Sequence, residues 1–119
     1  MTNNDFPHQL KIKMDEYAHL CYRITKNFPK EELYGVTSQL RRSSLSVILN
    51  YLEGFARKKQ MVKLNFWEIS YGSLKESMYL LHFALVEKYY TDNDYKKSIK
   101  LADEIGAMLW KSMESIRKC

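Results

Sequence analysis

The chain reads as an all-α protein, an antiparallel up-down-up-down bundle of four helices. Three observations lead there. Apolar residues recur at steps of three and four through four successive segments, the repeat that keeps side chains on one helical face. The segments are of similar length with short connections, which places sequential helices antiparallel. Glycine and proline are scarce, four and two in 119 residues, which argues against a turn-rich β design. That length suits one domain over residues 1–119, with a single core and no room for a second.

The first seam is Leu10, Met14, Tyr17, Cys21, Ile24 and Phe28, which predicts a helix over roughly 8–28. Asn27-Phe28-Pro29 ends it, because a residue before proline avoids the helical region. Glu31 and Glu32 suit the first turn of a second helix, where the dipole favours negative charge, and that helix is expected over roughly 31–57. Leu64, Trp67, Tyr71, Leu74, Met78, Leu81, Leu85 and Tyr89 form the third seam, over roughly 62–89. Thr91-Asp92-Asn93-Asp94 supplies a turn and an N-cap. Tyr95, Ile99, Ala102, Gly106, Leu109, Met113 and Ile116 then predict a fourth helix over roughly 93–117.

The second helix has two apolar sides. At about 100° per residue, Val36, Leu40, Ser43, Val47, Asn50 and Gly54 fall together, while Leu45, Ile48, Leu49, Leu52 and Ala56 fall nearly opposite. The third helix repeats this with Phe66, Ile69, Leu80 and Ala84 away from its seam. A monomeric bundle needs one apolar face per helix, so a second stripe is expected to leave water between subunits. The alternative is a wide core face with some exposed leucines. Ser43, Ser44, Gly54 and Gly72 are small where helices are expected to approach closely, and Asn50 is placed to fix register. Glu53 and Arg57 form an i,i+4 pair.

Charge is unevenly placed. The net charge is +5, and the stretch from Ser38 to Leu64 holds it all: Arg41, Arg42, Arg57, Lys58, Lys59 and Lys63 against Glu53. Such a cluster is a candidate surface for nucleic acid. The competing reading is a solvated helix end, since cations also suit a helix C-terminus.

Catalytic patterns find no support. Glu16 and His19 have the Glu-x-x-His spacing of bundle di-metal sites, but such sites take two motifs and two further glutamates pointing inward. Here there is one motif, off the seam, and His82 follows Tyr79 rather than a carboxylate at that spacing. Cys21 on the seam reads as a small buried hydrophobe. No phosphate loop or zinc spacing occurs. No cofactor and no metal are expected. Cys21 and Cys119 make no disulfide framework, no signal peptide begins the chain, and no segment approaches the ~18 apolar residues of a membrane span. The expectation is a reduced, cytoplasmic protein.

Residues 28–54, FPKEELYGVTSQLRRSSLSVILNYLEG, followed by FWEISYGSLKESMYLL at 66–81, resemble a bacterial family of four-helix bundles. Its members are encoded within intervening sequences of large-subunit ribosomal RNA genes, and some carry the label "ribosomal protein". The matching positions include Phe28, Pro29, Glu32, Gly35, Gln39, Arg41, Arg42, Ser46, Asn50, Glu53, Gly54, Gly72, Ser73 and Glu76. Many members have Pro-Ser-Asn-Ile-Ala-Glu-Gly where this chain has Ile48, Leu49, Asn50, Tyr51, Leu52, Glu53 and Gly54, which enlarges the second stripe. Relatives include accessory proteins of diversity-generating retroelements. By that resemblance the chain is expected to form a ring-shaped homopentamer through Leu45, Ile48, Leu49 and Leu52. It is likewise expected to bind RNA or DNA through Arg57, Lys58, Lys59, Lys63, Arg41 and Arg42, with a reverse transcriptase as a further partner. A protein-interaction scaffold that binds no nucleic acid is the alternative.

Overall fold

The computed structural model describes residues 5–118. It contains α1 (Phe6–Thr25), a 3-10 turn (Lys30–Glu32), α2 (Val36–Phe55), α3 (Gln60–Val86) and α4 (Asp92–Arg117). No strand occurs among the described residues, and no helix there is long and apolar enough to cross a membrane. Cys119 lies outside the described residues.

Helix ends follow local chemistry. Asp5 accepts from the His8 amide at 2.7 Å, and Pro7 sits in the first turn of α1, where its missing N–H costs nothing. Thr91 caps α4 as expected, accepting from the Asp94 amide at 3.1 Å. At the end of α3, Lys88 takes a φ of 64° while the Tyr89 amide reaches the Ala84 carbonyl at 2.9 Å. This is a Schellman turn with lysine where glycine is preferred. Lys88→Gly is expected to stabilise the fold by about 1 kcal/mol, measured as a higher urea midpoint at unchanged m-value.

The second helix starts later than its acidic pair suggests. Glu32 is the reason. Its Oε1 accepts from the Val36 amide at 3.1 Å and its Oε2 from the Tyr89 hydroxyl at 2.7 Å. A Cβ on Gly35 would lie 2.6 Å from Glu32 Oε1, so glycine leaves the carboxylate room over the helix start. The Tyr89 bond, then the Val36 bond, hold Glu32 below the usual carboxylate range. This anchor is therefore complete at neutral pH and is lost as pH falls through the lowered pKa. Phe28 packs beside both Tyr89 and Tyr90, with ring centroids 5.5 Å away in each case, tying the α1–α2 connection to the α3–α4 turn.

Side-chain pairs show the antiparallel arrangement. Lys11 near the start of α1 lies over Phe55 at the end of α2, while Arg41 Nε near the start of α2 donates to Thr25 at the end of α1. Arg42–Glu76, Ser46–Ser73 and Tyr51–Trp67 run in opposite senses along α2 and α3. Trp110–Tyr71 and Arg117–Glu68 do so for α3 and α4. Lys13–Glu104 closes α1 onto α4.

The α1 seam is buried throughout, from Leu10 to Phe28. The α2–α3 contact is close and partly polar. Ser70 donates to the Val47 carbonyl at 2.6 Å, and Trp67 Nε1 donates to the Tyr51 carbonyl at 3.1 Å while stacking on that ring. Gly54 and Ser43 are buried there as expected.

Three placements differ from the sequence reading. Tyr51, not Asn50, completes the buried face of α2, and Asn50 donates to Ser46 within its own helix, so it fixes no register. Leu80 and Ala84 belong to the core, because α3 is flanked by both α2 and α4 and needs a wide buried arc. Gly72 faces solvent, and a Cβ there meets nothing within 4 Å.

Candidate nucleic-acid interface

The α2–α3 turn carries exposed Arg57, Lys58 and Lys59, and Lys63 follows in the first turn of α3. Arg57 is paired with Glu53 and lies 5.3 Å from the Phe66 ring centroid. Lys63 Nζ rests 5.7 Å and 5.6 Å from the Phe55 and Trp67 rings. Lys58 and Lys59 have no ion-pair partner among the described residues. Their charge is uncompensated.

Antiparallel packing brings more cations to this end. The start of α1 places Lys11 over Phe55 at 4.6 Å, and the end of α4 adds Lys111, Arg117 and Lys118. Arg117 is bonded to Glu68 and Glu114 at 3.0 Å each, which raises its pKa and offsets its charge locally. The terminal helices look neutral when counted along the chain. Their contribution was nonetheless readable, because an up-down bundle must place residue 11 and residues 111–118 beside the α2–α3 turn.

Arg41 and Arg42 lie elsewhere. They precede Arg57 by roughly 16 residues, or about 24 Å along α2. Arg41 Nε donates to Thr25 Oγ1 at 2.8 Å and its guanidinium lies 4.8 Å from the Tyr22 ring centroid. Arg42 pairs with Glu76 at 3.1 Å. The six cations of the sequence cluster are thus two groups, and the Arg41–Arg42 group is engaged in joining helices.

The second stripe of α2 stands open on the protomer. Leu45, Leu49 and Leu52 are 39%, 55% and 41% exposed, with Ile48 half-buried beside them. Leu45 and Ile48 share a groove of about 410 Å³ with Ala18 and Tyr22 of α1, rimmed by Asp15, His19, Arg23 and Lys26. On the other side of the molecule, Tyr71 of α3 and Trp110 of α4 pair at 5.5 Å across a groove of about 340 Å³. Trp110 lies off the α4 seam, and a tryptophan in that position, between Leu109 and Lys111, is a signal that the seam alone does not carry.

The candidate chemical groups do not converge. Glu16 lines the groove between α1 and α4, whereas His19 lines the one between α1 and α2 and sits 3.4 Å from Asp15. No cluster of three or more metal-ligating side chains gathers among the described residues. Burial pushes the Cys21 thiol up to about 12, so it stays protonated at neutral pH.

A sequence profile of the 23S rRNA-intervening sequence protein family matches residues 8–111. The chain belongs to that family. The fold has a solved counterpart, a protein of unknown function from the S23 ribosomal protein family of Bacteroides thetaiotaomicron VPI-5482. That structure has a TM-score of 0.85 at 21% sequence identity and covers 92% of this chain and 99% of its own. At that identity it shows the fold alone. No curated protein sequence matches. In this member of the 23S rRNA-intervening sequence family, the motif residues are largely architectural. Glu32 and Gly35 set the start of α2, Gly54 admits Trp67, and Ser46 meets Ser73 across the α2–α3 contact at 2.8 Å. The uncompensated cations lie just beyond the Glu53-Gly54 end of the motif.

Proposed function

We propose that the protein is a non-enzymatic accessory factor that holds the phosphate backbone of RNA or DNA on the basic end of its bundle. The observation that carries this is the gathering of Lys58, Lys59, Lys63, Lys11, Lys111 and Lys118 at one end, from the α2–α3 turn and from α1, α3 and α4. The C-termini of α2 and α4 at this end favour one or two cations each at ~0.3–1 kcal/mol, but Lys11 and Lys63 sit near helix starts, where the dipole does not favour them. Backbone contacts of this kind position a strand without reading its bases. Assembly through Leu45, Ile48, Leu49 and Leu52 into a ring, with a homopentamer as the proposed form, would repeat the basic end around an axis and raise the local potential. The resemblance to retroelement accessory proteins adds a reverse transcriptase as a proposed partner. A cytoplasmic location fits this reading.

Replacement of Lys58, Lys59 and Lys63 by glutamine tests the interface. We expect weaker binding of RNA and DNA at low salt. The salt slope should become shallower by about 2, since each phosphate neutralised on a single strand adds ~0.7 to it. Oligomeric mass and helicity should not change. If affinity is unaltered, the basic end is a solvated surface and the scaffold reading takes its place.

A further inference from the structure

We propose that the groove between α3 and α4 takes an unpaired nucleobase stacked on Trp110, so that single-stranded RNA or DNA is the preferred ligand. This rests on the nucleic-acid reading above and adds a second contact to it. Trp110 is 47% exposed, unlike the buried Trp67, so part of its indole surface is open to a stacking ligand. Its ring is tilted by 50° to Tyr71 rather than stacked flat, so Tyr71 does not cover it.

Cations flank the pair. Lys75 Nζ lies 5.2 Å from the Tyr71 centroid, and the Arg117 guanidinium lies 5.1 Å from that of Trp110. Arg117 does not line the groove, and Glu68 and Glu114 hold it in place. The groove itself is formed by Tyr71, Lys75, Asp103, Gly106, Ala107 and Trp110. Gly106 and Ala107 add little bulk to its lining. A flat ring can therefore lie against the indole, with Lys75 at the groove to meet an adjoining phosphate.

Position along the bundle links this groove to the basic end. Tyr71 lies roughly eight residues past Lys63 on α3, or about 12 Å. A strand held at the α2–α3 turn can continue along α3 into the groove. Stacking on an aromatic ring accepts any base but requires that the base be unpaired, so a duplex gains nothing from it.

The test compares a fluorescent single-stranded RNA dodecamer with a duplex of equal length at one salt concentration. Wild type, Trp110→Ala and Trp110→Tyr are measured, with oligomeric mass in parallel. We expect Trp110→Ala to weaken single-strand binding about tenfold, with Trp110→Tyr restoring most of it. Duplex affinity, salt slope and mass should stay as in wild type. Equal weakening on both ligands, no weakening on either, or a change of mass with Trp110→Ala would overturn the proposal while leaving backbone binding in place. A wild type that binds neither RNA overturns both.

Discussion

Glutamate at Leu45 and Leu52 is expected to break the proposed assembly into smaller species that remain fully helical. Both side chains are about two-fifths exposed in the protomer, so the bundle core does not depend on them. Between subunits the balance is different. Each leucine contributes part of the ~1.5–3 kcal/mol that full burial of such a side chain provides. An unpaired carboxylate in the same place brings a desolvation cost of several kcal/mol. In the proposed ring the penalty would recur at every interface, so the effect on mass should be nearly complete. Sedimentation at micromolar concentration reads the outcome alongside far-UV circular dichroism. A wild type that already runs as a single protomer would contradict the proposed assembly outright.

Gly54→Ala sets two effects of opposite sign against each other. Alanine in place of glycine inside a helix normally stabilises by ~1 kcal/mol. Here the added Cβ would lie 2.6 Å from Trp67 Cδ1, 2.7 Å from its Nε1 and 3.0 Å from the Lys63 carbonyl. Trp67 cannot swing aside freely, because its indole donates to the Tyr51 carbonyl and stacks on that ring at 5.2 Å. The Lys63 contact is with backbone and has less freedom still. Overpacking should win, with a net destabilisation of about 2 kcal/mol. That corresponds to a melting point lower by about 8 °C. An equal or higher melting point would mean that α2 and α3 can separate at this crossing without cost.

Much of the fold was legible because every helix carries an apolar seam, and α1 and α4 show only one. The α1 seam was readable residue by residue, and Thr91 announced the start of α4. What escaped was set by distant partners. Glu32 reads locally as the first turn of a helix, yet it caps α2 from a 3-10 turn with the help of Tyr89 at the far end of α3. Tyr51 displaced Asn50 because a helix with two apolar sides leaves its rotation undetermined by one position. Leu80 and Ala84 looked peripheral only because α3 was treated as having one neighbour.

The site was legible in part for the same reason. Arg57, Lys58, Lys59 and Lys63 are contiguous and stand out in the sequence. Lys11, Lys111 and Lys118 join them only through the topology, and Arg41 and Arg42 leave the group because the α2 axis carries them away. The groove at Trp110 needed α3 and α4 side by side before its aromatic pair and its flanking cations could be seen together.

The most direct test of the central claim is the dependence of binding on salt. Affinity for a generic single-stranded RNA is measured from about 50 to 200 mM salt at constant oligomeric mass, a range over which phosphate contacts release counterions. If Lys58, Lys59, Lys63 and Lys11 each meet a phosphate, log affinity should fall linearly against log salt with a slope near −3, from ~0.7 for each phosphate neutralised. A flat line, or no binding at the lowest salt, would contradict the account.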